Sequence, residues 1–260
     1  MPFYFKKIPI IHLHGGEETT GAYDNQIRKI ISIISSIHFV SHLRYEKNLK
    51  KMLNYKKNIY NFGSLGAENI EKFKDSETKK NIEKKFNIQF SKENIMVCIH
   101  PETNNLKLHK QNIDSLFKFL RKIKHYNIFF TSPGHDAGSD YIISKIRYFT
   151  KNFKNSFYVK SFGKNYYFSV LSKCKCLIGN SSSGIIEACS LKIPVINIGI
   201  RQKGREQSKN TINVNFDENE ILKKFKIATS KKFLSSLQNA KNVYYKKNTK
   251  KNIINIINKI

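Results

Sequence analysis

No apolar stretch in this chain approaches the ~20 residues that a membrane-spanning helix needs. Residues 1–7 also lack the apolar core and small-residue cleavage site of a secretory signal, so a soluble, cytoplasmic protein is expected. Cysteine is sparse: Cys98, Cys174, Cys176 and Cys189 show no metal-ligand spacing, and Cys174 and Cys176 have no second pair to answer them. Buried thiols are expected, with no disulfide and no bound metal. Acidic side chains are few, 19 against 47 Lys and Arg, for a net charge of +28. Such an excess ordinarily points to nucleic acid or an anionic surface. Here the lysines are spread over almost every expected helix and loop, with no zinc-finger spacing, RNA-binding signature or basic-zipper pattern. Specific nucleic-acid binding is therefore not expected, only nonspecific affinity for polyanions at low salt. No internal repeat is visible.

What is present is an alternation of short apolar runs and helical-period segments. Residues 8–13, 38–40, 59–62, 95–100, 127–131, 157–159, 176–178 and 195–198 read as strands. Helical spacing marks residues 24–36, 43–52 and 106–124, and residues 68–85 read as a polar linker helix. From Asp217 onward come two terminal helical stretches. An α/β architecture follows, and 260 residues with 40% hydrophobic content suffice for one large core or two modest ones.

The most informative stretch runs from Cys176 to Gly199. Strand-like Leu177 and Ile178 give way to Gly179, Asn180, Ser181, Ser182 and Ser183, then to Gly184 and a segment that closes at Pro194. That order places the serines at a helix N-terminus, where unpaired N–H groups favour an anion such as a phosphate or diphosphate. Glu187, one turn further in, is placed to accept hydrogen bonds from a ribose diol. The same residues serve equally well as a plain N-cap and a solvated helix position. A second polar cluster, His14, Glu17, Glu18 and Asp24, follows the first strand in a loop with Gly15, Gly16 and Gly21, and offers acid and base candidates. Asp24 and Arg28 lie a turn apart, and an acid at a helix start is also a simple dipole partner.

The segment Gly179–Glu187, continued by Pro194 to Arg205, resembles the nucleotide-binding segment of the hydrolysing UDP-N-acetylglucosamine 2-epimerases, the sialic- and legionaminic-acid branch of their family. Loops at residues 62–66, 100–103, 132–139 and 161–167 extend the resemblance over nearly the whole chain, although Gly134 and His135 stand where the family often has Asn-Ala. The resemblance implies a GT-B-like α/β fold of two Rossmann-like domains and a UDP-2-acetamido sugar as partner. It implies hydrolytic epimerisation through loss of the C2 proton and of UDP, without metal or redox cofactor. On matching positions it assigns His100, Ser181, Ser182, Glu187 and Arg201 to UDP and residues 161–167 to the uracil. Asp24 and Glu17, with His14, become the acid/base candidates, and Arg28 an orienting partner.

Two departures qualify this. The family's early strands and their Gly-Asp-Arg loop, with its catalytic aspartate, have no counterpart before Met1, and relatives carry a catalytic glutamate where this chain has His14. The expectation is therefore a truncated N-terminal domain (residues 1–88), a more complete nucleotide-binding domain (89–235) and a terminal helix (236–260) packing back across the cleft. An open strand edge is expected at residues 8–13. The alternatives to a hydrolysing epimerase are an inactive UDP-sugar-binding fragment, or half of a split enzyme completed by a homo-oligomer or an N-terminal complementing segment. A GT-B glycosyltransferase stands behind both.

Overall fold

The computed structural model describes residues 2–55 and 57–259. After a short helix α1 (Pro2–Phe5), the first lobe winds β1 (Ile11–Leu13), α2 (Asp24–Ile34), β2 (Ile37–Val40), α3 (Leu43–Leu53) and β3 (Ile59–Asn61) into a three-stranded parallel sheet in that order. Helices α4 (Leu65–Glu71) and α5 (Lys79–Phe86) follow. The second lobe continues with β4 (Asn94–Cys98), α6 (His109–Lys122), β5 (Asn127–Thr131), α7 (Ser139–Asn152), β6 (Ser156–Val159) and α8 (Gly163–Ser172). It is completed by β7 (Cys176–Gly179), α9 (Ser182–Ile186), β8 (Val195–Ile198), β9 (Thr211–Val214), α10 (Glu218–Ala228), α11 (Lys231–Ser236) and α12 (Thr249–Ile257). No helix among the described residues is long and apolar enough to cross a membrane.

The six strands of the second lobe are all parallel, in the order β6-β5-β4-β7-β8-β9. The chain steps outward from β4 through β5 to β6, then returns to pair β7 on the other side of β4. That reversal opens a crevice beyond the carboxyl ends of β4 and β7, the place where doubly wound sheets bind ligands. The sheet is buried on both faces, so its strands read as nearly unbroken apolar runs. One face (Ile95, Val97, Phe130, Ile178, Ile196) packs on α6, α7 and α10; the other (Met96, Cys98, Phe129, Leu177, Val195) packs on α8 and the α5 region. All four cysteines are buried and unpaired.

The lobes are joined by polar contacts and by a returning C-terminus. Tyr45 of α3 meets Tyr244 through their hydroxyls at 2.8 Å, and the Glu206 N–H donates to the Tyr45 hydroxyl at 2.8 Å. Arg44 pairs with Glu206 at 2.8 Å, and Thr20 N–H donates to the Lys203 carbonyl at 3.1 Å. Helix α12 lies on the first lobe, with Ile253 packed among Ile37 and Phe39 and the Lys250 N–H donating to Glu68 Oε2.

Three local expectations change. The expected linker helix over 68–85 is broken at 72–78, because Phe73 packs edge-on against Phe168 and Asp75 pairs with Lys173, anchoring that stretch on the second lobe. The helix expected over 106–124 opens as a 3₁₀ turn at Leu106–Leu108 before α6 begins. Of the apolar residues whose spacing marks α2 as a helix, Ile27 and Ile30 are 56% and 50% exposed and Ile31 and Ile34 are only half-buried, while Ser32 is buried. The inward face is polar because it has polar partners there. Ser32 Oγ is 3.0 Å from His12 Nδ1, and Arg28 donates to the Glu17 carbonyl and the Thr19 hydroxyl.

Candidate functional site

At the switch point, β7 ends in Gly179 with φ +139°, its Cα packed against the carbonyl of Cys98 in β4. Asn180 then turns its side chain back across the crevice. Its Oδ1 accepts from the His100 N–H at 2.8 Å and its Nδ2 donates to the His100 carbonyl at 2.9 Å, so the two loops that leave β4 and β7 are fixed to one another. Ser181 is the N-cap of α9, accepting from the Ser183 N–H, and Ser182 is its first residue. Helix α9 has five residues, so its attraction for an anion comes from the unpaired first-turn N–H groups and the serine hydroxyls rather than a long dipole. Ser183 Oγ is 2.6 Å from the Tyr167 hydroxyl, a contact that orients the third serine.

His100 is largely buried, and burial, reinforced by the nearby Arg201 cation, lowers its pKa to about 4. The imidazole is therefore neutral at pH 7. Because its Nδ1 accepts from the Gly134 N–H at 3.2 Å, the ring proton sits on Nε2, leaving one fixed donor. Arg201 follows β8. Its Nη1 donates to the Asn180 carbonyl at 3.0 Å, and its backbone N–H donates to Glu102 Oε1 at 3.0 Å. Glu102 also accepts from the Ile200 N–H, which braces the loop beneath the guanidinium.

Ser181, Ser183 and Glu187 share a cavity of about 380 Å³ with Cys98, Thr131, Lys160 and Tyr167, a size within the usual range for a small-molecule site. The stretch 161–167, which the resemblance gives to the uracil, carries the start of α8 from Gly163 and lends Ser161, Phe162, Gly163, Lys164 and Tyr167 to the cavity lining. Burial pushes the Glu187 carboxyl up, opposed by the charges of His14, Arg205 and Lys164. Its Oε1 lies against Gly66 of the first lobe, where an added methyl would come within 2.6 Å. Glu187→Gln, which keeps an acceptor oxygen and removes the charge, is expected to weaken UDP binding by about 1 kcal/mol and to leave inorganic diphosphate within about twofold. If calorimetry shows both falling together, Glu187 holds the cleft rather than a ribose.

On the first-lobe side, His14 has φ +62°, strained for a non-glycine residue, and its Nδ1 lies 2.7 Å from Glu17 Oε1. Glu17 is 3% exposed. Its Oε1 also accepts from Ser41 Oγ at 2.9 Å, and its Oε2 lies 2.8 Å from Arg205 Nη2. That last contact is an ion pair without an aligned hydrogen bond, so Oε2 keeps uncommitted lone pairs. Burial works against ionisation, but the His14 hydrogen bond, the Arg205 charge and the Ser41 hydroxyl outweigh it and lower the pKa of Glu17 to about 2. Arg28 holds the Glu17 carbonyl at 3.1 Å and Thr19 Oγ1 at 3.3 Å. Asp24 is exposed at the first turn of α2, electrostatically facing Arg28 and Arg201, and makes no hydrogen bond to His14 or Glu17.

The fold thus brings His14, Glu17 and Arg28 together, gathers His100, Ser181, Ser182 and Arg201 around Asn180, and sets Glu187 between the groups. Asp24 stands at the rim. Asn180, Glu102 and Arg205 were not among the expected site residues. Asn180 lies within the serine motif, where an amide between a strand end and a polar turn is a bracing signal; Arg205 lies in the basic loop after β8 that the resemblance covers, but nothing local separates its role from that of Arg201.

The chain matches the sequence profile described as UDP-N-acetylglucosamine 2-epimerase over residues 3–258. It is 36% identical over 251 residues to polysialic acid biosynthesis protein P7 of Escherichia coli, covering 96% of this chain and 63% of that protein. It is 38% identical over 228 residues to the GDP/UDP-N,N'-diacetylbacillosamine 2-epimerase (hydrolyzing) of Campylobacter jejuni, covering 87% of this chain and 58% of the relative. The chain thus spans about three fifths of the length of these relatives. Among solved structures, UDP-GlcNAc 2-epimerase from Neisseria meningitidis bound to UDP-GlcNAc superposes with a TM-score of 0.79 at 17% identity, over 99% of this chain and 72% of that one. The fold is accordingly GT-B-like, as expected from the sequence.

Proposed function

The chain belongs to the UDP-N-acetylglucosamine 2-epimerase family, and from that premise we propose that it converts a UDP-2-acetamido sugar and water into UDP and the free 2-epimeric sugar, in sialic- or legionaminic-type acid synthesis. The observation that supports this reading is the position of Glu187, which lines the serine cavity and feels the charges of His14 and Arg205 from the other group. His100, Ser181, Ser182 and Arg201 offer donors and positive charge suited to a diphosphate, with Glu187 toward the ribose. Opposite them, Glu17 presents an ionised carboxylate held by His14 and Ser41.

In this reading a carboxylate removes the C2 proton of the sugar. The C1–O bond breaks as the C1–C2 double bond forms, and UDP leaves with the electron pair. Glu17 is the base candidate, with His14 beside it to exchange protons through Oε1. Asp24 is the second acid/base candidate, for the water that adds to the glycal. Arg28 keeps the Glu17 backbone in place. Charge developing on the leaving diphosphate is met by Arg201, by the His100 Nε2–H and by the first N–H groups of α9. Assigning residues 1–88 and 89–235 to the two sides follows the same division, with residues 236–260 returning to the first.

A second reading, a UDP-sugar-binding chain without turnover, is favoured by one observation: Glu17 is 3% exposed and already held by His14, Ser41 and Arg205. One experiment separates the two. In D2O with UDP-GlcNAc or its diacetamido-dideoxy relative, the first reading gives free UDP and a 2-epimeric sugar carrying deuterium at C2. UDP binding by calorimetry without release of UDP gives the second. No binding of UDP at all sinks both.

A further inference from the structure

The loop after β8 carries two arginines, and only Arg201 belongs to the diphosphate set. Arg205 is turned the other way and crosses between the lobes to Glu17, with side chains 10% and 1% exposed. Its Nη1 donates to Gln202 Oε1 at 2.7 Å, and Gln202 Nε2 donates to the Asn180 carbonyl at 2.8 Å, the carbonyl that Arg201 also holds. A continuous path of side chains thus runs from Glu17 to the loop that carries the serines. The approach is tight. Gly204 has φ +101°, and a methyl there would lie 3.0 Å from the Glu18 carbonyl. Arg201, three positions before Gly204, comes closer still: a methyl on Gly21 would lie 2.6 Å from its Cα.

We propose that Arg205 is a positioning residue for Glu17, reaching from the second lobe to hold the first-lobe carboxylate in place and ionised. This rests on the reading of Glu17 as an acid/base group. Glu17 is faced by His14 from its own loop, Ser41 after β2, Arg28 from α2, Tyr45 from α3, Arg205 from the loop after β8, and more distantly by His12 of β1 and Tyr244 of the C-terminal segment. Arg28 spends its guanidinium on the Glu17 carbonyl, and the hydroxyls carry no charge at neutral pH. Among the described residues, Arg205 is the one permanent cation that pairs with the carboxylate oxygens. It does so by charge rather than through a two-pronged fork, since its Nε has no hydrogen-bond partner and Nη2 is off line. A cation at this position is therefore the requirement, and guanidinium geometry is secondary.

The test follows the Glu17 carboxyl by NMR in the full chain carrying 13C-labelled glutamate, with the resonance assigned by its absence in Glu17→Gln. In the parent it titrates near the low value that its surroundings impose, about 2. Arg205→Gln and Arg205→Met, which remove the charge and keep the stem, are expected to raise its midpoint by roughly one to three pH units. Arg205→Lys restores the parent value to within about one unit. A folded Gln or Met variant in which Glu17 titrates as in the parent overturns the proposal, and so does a Lys variant that titrates like Gln. The functional reading fails separately: undiminished UDP release by Glu17→Gln removes Glu17 from the chemistry and leaves the titration of the Arg205 variants to decide the ion pair.

Discussion

Arg201→Ala is expected to weaken UDP binding by about 1.5–3 kcal/mol, roughly 10- to 150-fold, with the fold of the loop kept. The size follows from three features. Burial first, and then repulsion from a second cation, Arg205, lower the Arg201 pKa, so a bound diphosphate would offset the cost of keeping the guanidinium charged there. A planar guanidinium can meet two diphosphate oxygens at once, which an ammonium cannot, so Arg201→Lys should recover only part of the loss. The loop itself survives the substitution, because Glu102 holds the backbone N–H groups of residues 200 and 201 rather than the side chain, and Gln202 still donates to the Asn180 carbonyl. Calorimetric titration with UDP checks this. Equal affinity of the Ala variant and the parent would remove Arg201 from the diphosphate site.

Gly179→Ala is expected to cost about 3 kcal/mol or more in unfolding free energy, read from urea or thermal denaturation. A methyl at Gly179 would sit 1.9 Å from the Cys98 carbonyl oxygen, at the end of the β4–β7 pair, at φ +139°. Both sides of that contact are backbone, so no side chain can swing aside. Gly163→Ala provides the control. It also has positive φ, +67°, but nothing lies within 4 Å of the added methyl, so the cost should be only the backbone preference, about 1 kcal/mol. If the two variants unfold alike, close packing at the switch point does not constrain the sheet. If they differ as expected, the clash accounts for the difference, and Asn180, which follows Gly179 directly, loses its bracing of His100 along with it.

The order of elements was legible in the sequence because each signal for it is local. Period-two and continuous apolar runs mark β4, β5, β7 and β8, and Gly179, Ser181 and Pro194 punctuate the turn between β7 and β8. The GT-B-like class followed from those runs together with the long resemblance to one family. Local periodicity misjudged what depended on the other lobe. The helix expected over 68–85 breaks where Phe73 and Asp75 find partners on α8 and the residue after it, and α2 leaves Ile27 and Ile30 exposed because Arg28 and Ser32 have polar partners inside. The candidate site divides in the same way. His100, Ser181, Ser182, Glu187 and Arg201 stand at strand ends and turns, which the sequence marks. Whether Glu17 is ionised, which of its oxygens is uncommitted and which arginine faces it depend on the 199–206 loop meeting the loop after β1. Those residues lie far apart in the chain and carry no shared local pattern. Strand ends and turn residues are set by neighbours along the backbone; the charge state of a buried carboxylate is set by whatever the closed lobes place against it.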